Sequence, residues 1–97
     1  MPTDITLWNY TQRGIENTAE SPDRLDAGIE VIESVGGELQ GFYLTMGAYD
    51  VVTVAEFPDD DAAGKVLLRI GQAGAVSGET LKAWPEDDYR ERIASLP

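Results

Sequence analysis

Two runs of β-forming residues, Glu38 to Met46 and Tyr49 to Phe57, stand back to back around Gly47-Ala48. No other feature limits the fold so strongly, because alternating runs joined this tightly pair as an antiparallel hairpin. A two-residue type II′ turn wants glycine at its first central position, and Gly47 supplies it. That turn sets Met46 opposite Tyr49, Thr45 opposite Asp50 and Tyr43 opposite Val52. Alternation then puts Phe42, Leu44, Met46, Tyr49, Val51, Thr53 and Ala55 on one face. Leu39, Gly41, Tyr43, Thr45, Asp50, Val52 and Val54 take the other. Neither face is plainly polar, so both sides of the hairpin call for cover.

The flanking sequence supplies cover for one side only. Ile5 to Tyr10 is short, aromatic and β-branched, and reads as a strand. Thr11 can cap a helical turn through Gly14, Ile15 and Ala19. Ser21-Pro22-Asp23 reads as a helix start, with Leu25, Ile29, Ile32 and Val35 on one apolar stripe and Gly36-Gly37 as the stop. Pro58 closes the hairpin. Asp59-Asp60-Asp61 opens a helix whose stripe is Ala63, Val66, Leu67 and Ile70. Ala75 to Trp84 makes a fourth strand, expected to be irregular at Gly78, and Pro85 begins a polar tail with a short helix over Glu86 to Leu96. The order β-α-β-β-α-β is the ferredoxin-like α+β arrangement, a four-stranded antiparallel sheet with two helices on one face. Residues 1–97 read as one domain, with a core over 5–84 and a tail over 85–97.

The second sheet face is then left bare. Each large apolar side chain left wet there forgoes roughly 1.5–3 kcal/mol of burial. A second copy of the chain is the simplest cover, which predicts a homodimer through the open sheet face, of the dimeric α/β barrel kind. Tyr89, Ile93 and Leu96 of the tail offer an alternative cover by folding back.

Composition narrows the chemistry. The 97 residues include no cysteine and no histidine, which removes disulfides, thiolate metal sites and every nucleophile paired with an imidazole. Acids outnumber bases 18 to 7, for a formal charge of −11. Nucleic acid and anionic membranes are therefore poor partners, since both need clustered Lys and Arg. No segment reaches the ~18 apolar residues of a membrane span, and no leader is visible at Met1 to Tyr10, so a cytoplasmic location is expected. So acidic a surface suits high salt, where screening relieves self-repulsion. A halophilic host is the hypothesis, and equal stability in dilute buffer and molar salt would count against it.

Candidate ligand-binding residues are Trp8, Tyr10, Tyr43, Thr45 and Asp50. Asp50 is also the one candidate for a catalytic base, with a tyrosine hydroxyl orienting the ligand. The alternative is that Asp50 accepts backbone N–H groups around its turn while Tyr43 packs. Trp8 and Tyr10 share one side of the first strand and could line an apolar pocket or simply pack, and Trp84 carries the same two readings. Thr11 to Ile15 is either a capped turn or a small-anion loop, and Arg24 could pair with Glu20. Asp59-Asp60-Asp61 reads as helix capping rather than a metal site. No metal and no cofactor is called for.

Gly47, Tyr49 and Asp50, together with Tyr10-Thr11, Gly14-Ile15, Gly36-Gly37, Pro58-Asp59 and Thr80-Leu81, resemble the GYD domain family over roughly Ile5 to Trp84. One departure stands out: Arg13 holds the place directly before Gly14 where the family pattern has glutamine, with Gln12 preceding it. The resemblance implies a ferredoxin-like fold related to the dimeric α/β barrels, and no particular activity. By fold it is similar to cofactor-free monooxygenases, small isomerases, haem-binding enzymes and effector domains of transcription regulators. The expected function is a homodimeric domain that binds or senses a small, partly apolar molecule. A cofactor-independent oxygenase or isomerase is the alternative, and a purely structural interaction module the third.

Overall fold

In the computed structural model, which describes residues 2–97, four strands form one antiparallel sheet in the order β2-β3-β1-β4. The strands are β1 (Thr3–Tyr10), β2 (Glu38–Leu44), β3 (Val51–Glu56) and β4 (Val76–Ala83). The helices are α1 (Gln12–Glu16), α2 (Ser21–Ser34), α3 (Asp60–Gln72) and α4 (Glu86–Ala94). This is the ferredoxin-like α+β fold. Helices α2 and α3 connect β1 to β2 and β3 to β4, and such crossovers place both on the same side of the sheet.

The core gathers at one end of that helix-covered side. Ile32 of α2 meets Ala62, Ala63 and Val66 of α3 over Ala55 and Phe57, with Leu39 and Ile70 packed alongside. Asp59 caps α3 by accepting the Ala62 amide at 2.8 Å. Asp60 instead reaches Lys82 at 2.9 Å. Asp59 and Asp60 thus point to different partners.

Several expectations need correction. The hairpin register is as read, with Tyr43 opposite Val52 and Leu44 opposite Val51. Strand pairing stops there, however, and Thr45 to Asp50 form a longer loop in place of a two-residue turn. Gly47 still takes a positive φ of 144°, and Met46 beside it is fully exposed. The register shifts between Leu39 and Gly41, which brings Leu39 opposite Ala55 on the helix side. That bulge moves Leu39 from its expected face into the core. The fourth strand, by contrast, runs unbroken through Gly78. Gly78 is there because the Trp8 indole lies across it: a Cβ at Gly78 would stand 2.7 Å from the ring.

Ser21 makes no cap either. A 3₁₀ turn over Thr18–Glu20 runs directly into α2, so Glu20 takes the cap position without a side-chain bond. Arg24 bonds the carbonyl oxygens of Asn17 and Gly14 at 2.9 and 3.3 Å rather than Glu20. The tail does form a helix, but every residue from Trp84 to Pro97 is exposed. Arg92 stacks over the Trp84 ring at 4.8 Å, and α4 does not cover the open sheet face. With only Tyr89 and Ile93 as large apolar groups among its charges, it has too narrow a stripe to be driven there.

Candidate functional site

Where the core thins, the two helices part from the sheet and leave an open-sided cavity of about 270 Å³. Trp8, Tyr10, Val51 and Thr53 form its floor, Arg24, Leu25, Gly28 and Ile29 one wall, and Arg69, Ile70 and Ala73 the other. The α2 stripe explains the opening. Ile32 is buried, but Leu25 and Ile29 on the same stripe remain only partly buried because they face space rather than side chains. Gly28 adds to it, since nothing lies within 4 Å of where its Cβ would stand.

The floor is fixed by cross-strand bonds. The Trp8 indole N–H donates to Thr53 Oγ1 at 2.9 Å, and the Thr6 and Thr80 hydroxyls meet at 3.0 Å. The Tyr10 hydroxyl lies 3.5 Å from Ser21 Oγ. The far end of β1 is held by α1, whose Thr11 side chain accepts the Gly14 amide at 3.2 Å and donates to the Gly74 carbonyl at 2.6 Å. The Thr11 amide also donates to the Ala75 carbonyl at 3.1 Å. This segment, which the sequence left open as an anion loop, docks a helical turn against the approach to β4.

The structure does not bring the five candidate residues together. Trp8 and Tyr10 line the cavity. Tyr43 lies on the opposite face of the sheet, 59% exposed, with its ring over Gly41. Thr45 donates its hydroxyl to the Tyr49 carbonyl at 2.7 Å and its amide to the Asp50 carbonyl at 2.9 Å. Asp50 bonds β1 twice: its amide donates to the Trp8 carbonyl, and its carboxylate accepts the Tyr10 amide, both at 2.9 Å. Beyond the Trp8–Val51 pair β3 offers β1 no further register partner, and the Asp50 side chain supplies the acceptor that a longer strand would have supplied.

Tyr49 leaves the loop toward the open face and donates to Glu79 of β4 at 2.8 Å. That carboxylate, first as acceptor and then by its charge, holds the phenol above its usual 10.0. Tyr49 and Asp50 therefore tie the hairpin end to β4 and β1.

Asp4 is the titratable group that sequence reading passed over. It is 6% exposed on the helix side of β1, opposite Ala55 and Lys82. Burial pushes its carboxyl above the usual 3.8, Asp60 adds repulsion, and Lys82 partly offsets both. A raised folded value means that this group's contribution to stability is complete below 3.8 and is lost as pH rises through the folded value. Asp4→Asn is therefore expected to raise the urea midpoint at neutral pH and to match the parent at a pH below that ordinary value. A difference that stays constant across that range would sink the assignment.

Among the described residues no cluster of three or more potential metal ligands occurs, and no helix is long and apolar enough to cross a membrane.

Comparison with known proteins agrees with this architecture. The crystal structure of TTHA0845 from Thermus thermophilus superposes with a TM-score of 0.56 at 23% identity, covering 88% of this chain and 95% of that one. Protein Atu4242 from Agrobacterium tumefaciens gives a TM-score of 0.50 at 18% identity, over 89% and 96%. A variant of MhuD with two manganese protoporphyrin IX molecules bound per active site gives 0.51 at 15% identity, over 89% and 95%. These likenesses establish the fold. The sequence matches no curated protein. The GYD family profile spans residues 5–93, taking in the docked Thr11–Gly14 turn and the Gly47, Tyr49 and Asp50 hairpin end, and on that match the chain belongs to the GYD domain family.

Proposed function

We propose that this chain is a homodimeric small-molecule-binding or sensing domain. Its ligand occupies the cavity between sheet and helices, against Trp8 and Tyr10. One observation carries the reading: Leu25 and Ile29 remain partly buried around about 270 Å³ of space although closing α2 onto the sheet would bury them. An apolar guest restores that burial. MhuD, of similar fold, holds manganese protoporphyrin IX in its active site, so apolar-bodied guests have a precedent in the architecture. Ile5, Leu7, Val52 and Val54 are partly buried, and Leu81 and Tyr43 exposed, on the side away from the helices. A second copy across that face would cover them, and Tyr43 would then contact the partner. An enzymatic reading finds less support, because the Asp50 carboxylate is bonded to the Tyr10 amide and no carboxylate lines the cavity.

Native mass spectrometry should report a dimer, and a monomer at micromolar concentration would refute the pairing. The neutral probe N-phenyl-1-naphthylamine should gain fluorescence on binding. Gly28→Phe should abolish that gain by filling the cavity while leaving the melting temperature equal or higher. Unchanged probe uptake in this variant would place the ligand elsewhere.

A further inference from the structure

The polar side chains that line the cavity include two arginines and no acid. The Trp8 indole and Thr53 satisfy each other at 2.9 Å. The other polar side chains that line it are those of Tyr10, Ser21, Arg24 and Arg69. No aspartate or glutamate joins them, although acids outnumber bases 18 to 7 in the chain. At 3.5 Å the Tyr10–Ser21 contact is too long to satisfy either hydroxyl. Arg24 gives N–H groups to the Asn17 and Gly14 carbonyls, but neutral acceptors leave its charge uncompensated, and a guanidinium has five donors. The ion pairs among the described residues are Lys82–Asp60 and Arg90–Glu86, and neither involves Arg24 or Arg69.

We propose that the ligand is a small organic carboxylate with an apolar body. Its head accepts hydrogen bonds from Tyr10, Ser21 and Arg24, Arg69 adds charge from the opposite wall, and the body lies between Trp8 and Ile29. This rests on the cavity being a binding site, as argued above. A carboxylate head adds an acceptor for these donors that a wholly neutral guest lacks, so it should bind better than a neutral guest of the same shape. A carboxylate is acceptor-only and matches the planar guanidinium fork. The formal charge of −11 also favours a single negative charge over a dianion.

The test is displacement of N-phenyl-1-naphthylamine by 2-naphthoate and by 2-naphthamide, which share a shape and differ in charge. The carboxylate is expected to compete about tenfold better, the worth of a charge-assisted bond. Arg69→Gln, which removes one of the two positive charges, should lower the ratio of carboxylate to amide competition, and an unchanged ratio would remove Arg69 from the assignment. Arg69 is exposed and outside every ion pair among the described residues, so the fold should tolerate the change. Equal competition by the two compounds overturns the carboxylate assignment and leaves the cavity reading standing. Failure of the neutral probe to bind at all overturns both.

Discussion

Trp8→Ala is expected to lower the unfolding free energy by about 3–5 kcal/mol, the usual result of removing a buried aromatic side chain. Trp8 is 8% exposed and central to the sheet, paired with Val51 on one side and Gly78 on the other. Its ring covers the Gly78 backbone, and its N–H is bonded to Thr53. Truncation would enlarge the cavity, strip that cover from β4 and leave the Thr53 hydroxyl facing a void. Domains of this size are stable by only about 5–15 kcal/mol, so the variant should be marginal at ordinary temperature. Urea denaturation followed by circular dichroism measures the loss. Trp8→Phe should recover most of it, lacking chiefly the hydrogen bond. A loss under about 1 kcal/mol for the alanine variant would mean that the indole does not fix the sheet as described.

Gly14→Ala should be nearly as damaging, for a different reason. A Cβ at Gly14 would stand 1.9 Å from the Ala75 carbonyl oxygen and 2.9 Å from its carbon. Both obstacles are backbone, which cannot rotate away as a flexible side chain can. The α1 turn must lift off, giving up the Thr11 bonds to Gly74 and Ala75. Overpacking typically costs about 1–3 kcal/mol, and the broken bonds take this case to the upper end or beyond. Hydrogen exchange at the Thr11 amide should accelerate more than exchange at the core strands. Gly28→Ala provides the contrast. It stands mid-helix with open space around it, so it should stabilise by about 0.5–1 kcal/mol. Equal destabilisation by the two alanines would mean that the approach to the Ala75 backbone is not what requires glycine at position 14.

The candidate site was only half legible. Trp8 and Tyr10 could be placed on one side of β1 by alternation alone, and both line the cavity. Tyr43, Thr45 and Asp50 were grouped by the same alternation, but the ladder ends at Leu44 and Val51, before two of the three. Once the chain leaves the pleat, period-two reasoning no longer fixes direction, so Tyr49 could turn to Glu79 and Asp50 to β1. Leu39 moved for a related reason: one extra residue at the bulge reverses facing on its far side. The arginines were visible as rare cations, yet nothing local marks Arg69 as facing a cavity.

What the sequence determined by itself was the element order, the pairing of the hairpin strands and membership of the ferredoxin-like class. Those follow from periodicity and turn residues that act over a few positions, and from the handedness of crossovers. What only the tertiary structure decided was where the helices part from the sheet and which polar groups face the gap. Trp8 bonds Thr53 across 45 positions and Tyr10 bonds Asp50 across 40, while Gly14 meets Ala75 at a distance no alanine allows. Such contacts depend on the packing of segments far apart in the chain, and no local pattern of side chains encodes them.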